Sequence, residues 1–113
     1  VWGGGLAERP EFYESCDRHG MLVMQEFWMT GDNNGRWAGS ATWPDDHHVY
    51  LAAASDTVKM LRRHPSLLFW NMGNELYPTD VSPSPDIKEG IEEMVRRLDP
   101  RRTLVQSSMT NYT

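Results

Sequence analysis

Three short apolar runs, set apart by stretches with helical spacing, organise the chain: Met21 to Phe27, Ser66 to Met72 and Thr103 to Ser107. Each follows a turn or a breaker, and none alternates cleanly between apolar and polar positions, which predicts strands covered on both faces. The first helical pattern starts near Pro10, whose fixed φ suits a first helical position. It carries Phe12 and Cys16 on one face and stops at Gly20, a natural left-handed cap. The second begins after Asp45 and Asp46, whose carboxylates can cap exposed amides, and runs to about His64 with Leu51, Ala54, Val58 and Leu61 as its stripe. Pro65 ends it. The third opens on Ser84 and Pro85, aligns Ile87, Ile91, Met94, Val95 and Leu98, and closes before Pro100.

The order is a strand tip at Trp2, then helix, strand, helix, strand, helix, strand, with strand starts about 35 to 45 residues apart, the length of a βα unit with a loop. That alternation predicts a parallel α/β sheet, either open and doubly wound or a section of a (β/α)8 TIM barrel. No phosphate-cradling G-x-G-x-x-G follows a strand, and Gly3-Gly4-Gly5 is too tight a cluster to serve as one. The barrel is preferred. In a barrel, Trp2 with its glycines, Gln25-Glu26 and Asn74-Glu75 converge on the mouth formed by the carboxyl ends of the strands. The stretch from Trp28 to Pro44, rich in Gly, Asn and Asp, is too long for a bare connector and is expected to shape the rim, with Trp37 and Trp43 as rim contacts or loop anchors. Pro78 to Pro85 reads as a polar connection.

Bulk properties narrow the partners. The net charge is −5 with eleven Lys and Arg, which leaves no basic stripe to neutralise phosphates and argues against nucleic acid. No apolar run approaches the eighteen or so residues of a membrane span, so no membrane partner is expected. The lone cysteine, Cys16, excludes an intrachain disulfide and reads as a core residue. Five tryptophans in 113 residues, several beside acids and glycines, are a surplus of flat apolar faces. Such faces pack well on the C–H face of a sugar ring.

Glycoside hydrolysis uses one carboxylic acid to protonate the departing oxygen and a second carboxylate as nucleophile or base. Glu75 fits the first role at the end of a strand, with Asn74 beside it to hydrogen-bond a sugar hydroxyl and Gly73 to let the backbone bend; a solvated acid after a strand is the plain alternative. Glu26 has two readings, a substrate contact that also tunes Glu75 or a structural ion pair with a barrel arginine. Trp2 forms a wall of the sugar site or fills the barrel bottom, Trp28 stands beside Glu26 as a further substrate contact, and Trp70 belongs to the core. His47, His48 and His64 lack the H-x-x-x-H or H-E-x-x-H spacing of a metal site, and no G-x-S-x-G elbow is present, so neither a metal nor Ser/His/Asp chemistry is expected, and hydrolysis by two carboxyl groups requires no cofactor.

The run Arg63-His64-Pro65-Ser66-Leu67-Leu68-Phe69-Trp70-Asn71-Met72-Gly73-Asn74-Glu75 resembles the acid/base segment of glycoside hydrolase family 2. Upstream, Trp2-Gly3-Gly4-Gly5-Leu6-Ala7-Glu8-Arg9-Pro10-Glu11-Phe12-Tyr13 and Gln25-Glu26-Phe27-Trp28-Met29-Thr30-Gly31-Asp32 resemble the β-mannosidase branch, above all its plant-type mannosylglycoprotein endo-β-mannosidases. The resemblance implies that the chain is a piece of a single catalytic barrel domain covering about its second to fifth strands, with Glu75 as acid/base at the end of the fourth. It implies a nucleophilic glutamate near the seventh strand, outside these residues, and an oligosaccharide or glycan substrate. Asn71 stands where the family more often has a small residue, and Leu76-Tyr77 departs from the plant pattern. Related activities, β-galactosidase or exo-β-glucosaminidase, remain as alternatives, though the latter branch commonly lacks the Asn-Glu pair. A carbohydrate-binding barrel without catalysis and an inactive truncated barrel are the others.

Overall fold

A computed structural model describes residues 1–34, 38–76 and 83–108. Trp37 and most of the proline-rich connection after Glu75 fall outside them. Along the chain run β1 (Trp2–Gly3), α1 (Pro10–His19), β2 (Val23–Thr30), α2 (His47–Leu61), β3 (Leu67–Asn74), α3 (Pro85–Leu98) and β4 (Leu104–Val105). The strands form one four-stranded sheet in the order β1-β2-β3-β4, every pairing parallel. A doubly wound sheet reverses direction at a switch point, whereas a barrel wall adds each strand beside the last. The sequential order is that of a barrel wall, and the chain folds as part of a (β/α)8 barrel.

The helix ends follow the local chemistry. Pro10 occupies the start of α1, and Gly20 closes it at φ 67° with its amide on Cys16 O. Asp46 caps α2 by accepting from the Val49 amide, and Pro85 opens α3. Ile87, Ile91, Met94 and Val95 of α3 are buried, as are Ala54, Val58 and Leu61 of α2, while Cys16 sits in the core at 6% exposure. Leu51 is half-buried and faces Gly90 of α3.

Strand boundaries differ from the sequence expectation. Met21 and Leu22, expected as the start of β2, are half-exposed, and the strand begins at the fully buried Val23. It then continues through Gln25 and Glu26 to Thr30, so those two polar residues lie in the middle of the strand, not at its carboxyl end, and the rim loop starts at Gly31 rather than Trp28. β3 likewise runs two residues further than the apolar run, to Asn74, and β4 is confined to Leu104–Val105. Gln25, Glu26 and Asn71 are accommodated inside the long strands because each finds hydrogen-bond partners for part of its side chain.

Gln25 illustrates this. Tyr13 of α1 donates its hydroxyl proton to Gln25 Oε1 at 2.5 Å, while Gln25 Nε2 donates to Gly3 O at 3.0 Å and Glu26 O at 3.1 Å. One side chain thus ties β1, β2 and α1 together, and burial keeps the Tyr13 phenol protonated by pushing its pKa up. Gln25 and Trp70, paired in register, face the helices; Glu26 and Asn71, the next pair, face the opposite side of the sheet. Between Glu26 and Met29, β2 spends three steps where β3 spends two, from Asn71 to Gly73. The extra residue makes a bulge, at which Trp28 adopts a left-handed φ of 57°.

Candidate active site

Parallel strands bring their carboxyl ends to one edge, and there Thr30 pairs with Asn74 and Asn74 bridges to Ser108. Glu75 is the next residue. Behind it β3 is anchored on the helix side by Trp70, fully buried, whose ring stacks on Phe27 at 5.1 Å and whose Nε1 donates to Asp99 Oδ2 at 2.8 Å. Gly73 follows because the neighbouring strand comes too close for a side chain: a Cβ there would stand 2.3 Å from Met29 O.

Glu75 then leaves the ladder at φ 54°. A left-handed backbone costs a residue with a Cβ about 1–2 kcal/mol, so surrounding bonds must hold it. They do: the Glu75 amide donates to Ser108 O at 2.8 Å, the Ser108 amide donates to Gly73 O at 2.9 Å, and the Leu76 amide donates to Ser107 Oγ at 2.9 Å. Leu76 itself is 2% exposed and plugs the core immediately after the turn. Glu75 is half-buried at the edge where the strands end.

Glu26 is fully buried one layer below. Its Oε1 accepts from Asn71 Nδ2 at 2.6 Å and from Ser108 Oγ at 2.7 Å, and Ser108 Oγ lies 3.0 Å from the Asn74 carboxamide. Glu26 Oε2 and Asn71 Oδ1 have no hydrogen-bond partner among the described residues. The structure therefore brings Glu26, Asn74 and Glu75 into one connected cluster and adds Ser108, which sequence reasoning missed. A signal existed: Ser107-Ser108 follows the apolar Leu104-Val105 run much as Asn74-Glu75 follows its own.

The tryptophans divide. Trp2 on β1 is 54% exposed, with its ring lying against the Gly4 backbone. Trp28 meets Tyr50 of α2 edge-on at 5.8 Å, and Trp43 meets the same ring at 5.8 Å, so the two flank Tyr50. Tyr50, its phenol pKa raised by burial, donates to the Phe27 carbonyl. The Trp28 indole N–H is buried without a partner among the described residues.

The histidines serve as struts. His47 Nδ1 lies 2.6 Å from Asp86 Oδ2 and its Nε2 lies 2.8 Å from Thr42 O, while His64 Nδ1 lies 2.6 Å from Asp17 Oδ2. Among the described residues no group of three or more His, Cys, Asp and Glu is placed to hold a metal. A concavity of about 510 Å³, lined by Asp86, Glu89, Gly90, Glu92, Glu93 and Arg96, belongs to α3 alone and does not include Glu75. No described helix is long and apolar enough to cross a membrane.

Comparison with known proteins agrees with this fold. A mannosylglycoprotein endo-beta-mannosidase of Lilium longiflorum is 54% identical over 81 residues, which cover 70% of this chain and 8% of that protein. Beta-mannosidase B of Thermothelomyces thermophilus is 42% identical over 77 residues, covering 68% of this chain and 8% of its own length. The chain thus spans about 8% of these curated relatives. The crystal structure of a beta-D-mannosidase from Dictyoglomus thermophilum superposes with a TM-score of 0.70 at 30% identity, over 96% of this chain and 14% of that one. Residues 7–111 match the family described as "Glycosyl hydrolases family 2, TIM barrel domain", and the chain belongs to that family.

Proposed function

We propose that this chain is a section of a single catalytic barrel domain, and that the complete enzyme hydrolyses β-mannosides with retention of configuration, Glu75 being its acid/base. The observation that carries the reading is the placement of Glu75: a half-buried glutamate, held in a left-handed turn by Ser108, directly after Asn74 at the carboxyl edge of a parallel sheet. The relatives' names, an endo-β-mannosidase and β-mannosidases, support the mannoside as substrate.

In the first step a carboxylate from another barrel strand attacks the anomeric carbon as the glycosidic bond breaks. Glu75 gives its proton to the departing oxygen. In the second step Glu75, now a carboxylate, takes a proton from water as the water oxygen displaces the enzyme carboxylate at the same carbon. Glu75 ends protonated and the cycle closes, with no cofactor required.

The residues expected to bind the sugar separate by exposure. Asn74, half-buried beside Glu75, contacts the hydroxyl next to the reacting carbon, and the exposed Trp2 ring supplies an apolar wall. Glu26, with no exposed surface, supports the sugar site from beneath through Ser108 and Asn74. Trp28 contributes from the bulge of β2, braced on Tyr50.

The test is a series of aryl β-mannosides with leaving groups of increasing basicity, assayed with the complete enzyme and its Glu75→Ala variant. Loss of a general acid costs about 10²–10⁴-fold where the leaving group needs protonation. The variant should therefore fall steeply on poor leaving groups and far less on acidic phenols. A uniform, small effect across the series would remove Glu75 from the role.

A further inference from the structure

Ser108 touches both halves of the acid/base segment. Its backbone holds Gly73 and Glu75, and its hydroxyl stands between the Glu26 carboxyl and the Asn74 carboxamide. A hydroxyl has one proton, so it can donate to only one of these neighbours.

The surrounding bonds decide which. Asn71 Nδ2 donates to Gly73 O at 3.0 Å, and a carbonyl can only accept, so the Asn71 nitrogen is fixed on that side. The same nitrogen donates to Glu26 Oε1 at 2.6 Å, which makes Oε1 an acceptor. Ser108 therefore gives its proton to Oε1, at 2.7 Å, the shorter of its two contacts. Its remaining lone pairs can only accept. The two ends of a carboxamide have the same shape, and hydrogen-bond partners determine which end faces where. The Asn74 atom placed 3.0 Å from Ser108 Oγ is Oδ1. With the Ser108 proton committed to Glu26, two oxygens would face each other with no proton between them, so exchanging the ends of the carboxamide brings its NH2 to this contact and satisfies it.

We infer that Ser108 is a positioning residue: with its proton held by buried Glu26, it turns the Asn74 nitrogen inward and the Asn74 oxygen toward the sugar, so that the site accepts a hydrogen bond from the hydroxyl at C2. The inference rests on the reading of Glu75 as acid/base and adds to it the direction of the neighbouring recognition bond. Glu26 and Asn71 act at a distance from the substrate, through Ser108 and Asn74. Their work is to fix one proton on Ser108.

Two aryl β-mannosides test this with the complete enzyme, one bearing the C2 hydroxyl and one its 2-deoxy counterpart. Ser108→Ala should lower kcat/KM on the hydroxylated substrate about tenfold, the scale of one neutral hydrogen bond, and leave the 2-deoxy substrate nearly unchanged. Ser108→Thr and Ser108→Val provide a second comparison, since they share a shape and differ in the hydroxyl. Thr should retain the preference for the C2 hydroxyl, and Val should lose it. Equal losses on both substrates, or no loss on either, would overturn the positioning role even if Glu75→Ala is inactive. Full activity of Glu75→Ala would instead overturn the acid/base reading itself.

Discussion

Replacing Gly73 with alanine places a methyl group where the neighbouring strand already stands. The new Cβ would lie 2.3 Å from Met29 O, 3.0 Å from Met29 C and 2.9 Å from Leu76 Cδ1. Carbon and oxygen approach comfortably to about 3.3 Å, so β2 and β3 must part by about 1 Å at this level. Backbone is the obstacle, in a ladder where Met29 faces Gly73 and Thr30 faces Asn74. Overpacking of this kind costs about 1–3 kcal/mol, and stretching the bond from the Gly31 amide to Asn74 O adds about 1 kcal/mol. Gly20→Ala is the contrasting comparison: its φ is left-handed, at 67°, which that of Gly73 is not, and nothing lies within 4 Å of an added Cβ, so it bears only the backbone cost of about 1 kcal/mol. Thermal unfolding and mannosidase assays of both variants in the complete enzyme separate the two effects. Gly73→Ala should melt lower than Gly20→Ala and also lose activity, because Glu75 hangs on the displaced strand. A Gly73→Ala enzyme as stable and active as wild type would refute the close-approach argument.

Further expectations follow from the struts around the sheet. Asp99 is 7% exposed and accepts from Trp70 Nε1 and Arg102 Nη1; Asp99→Ala leaves the buried Trp70 N–H unpaired while Arg102 Nη1 keeps the Arg62 carbonyl, and should cost about 1–3 kcal/mol by denaturant titration, with Asp99→Asn recovering part of it. Burial opposes ionisation of Asp17, but hydrogen bonds from Ser66 and His64 outweigh it and lower its pKa from 3.8 to about 2. Its stabilising contribution is thus present above pH 3.8 and lost as pH falls through about 2; an Asp17→Asn variant should show a flatter stability profile across that acid window. His47, bonded to Thr42 O and then to Asp86, has its pKa raised above 6.5. The clasp it makes is full below pH 6.5 and weakens as pH rises through the raised value, a dependence that His47→Gln should abolish in melting curves.

Much of this architecture was legible in the residues. Pro10 and Gly20 bracket α1, Asp46 caps α2, and the apolar stripe of α3 is the buried one, because caps and periodicity act locally. Strand ends were less legible. Trp28 and the fully buried Met29 carry β2 past Phe27 to Thr30, and ladder partners far along the chain carry β3 past Met72 to Asn74. Glu26 was visible as a candidate, but not its burial, which depends on Asn71 and Ser108. Ser108 itself was hidden by the brevity of the Leu104–Val105 run. The left-handed turns at Trp28 and Glu75 had no local cue either, since neither residue type favours that conformation and only tertiary bonds hold it there.

The most direct test of the central claim is the product formed when azide is supplied to the Glu75→Ala enzyme with an activated aryl β-mannoside. With the acid/base gone, the glycosyl-enzyme should accumulate and azide, needing no deprotonation, should intercept it from the face that water uses. The account predicts restored turnover and a β-mannosyl azide, identifiable by NMR. Unaltered turnover without azide, or no azide adduct of that configuration, would contradict the assignment of residue 75.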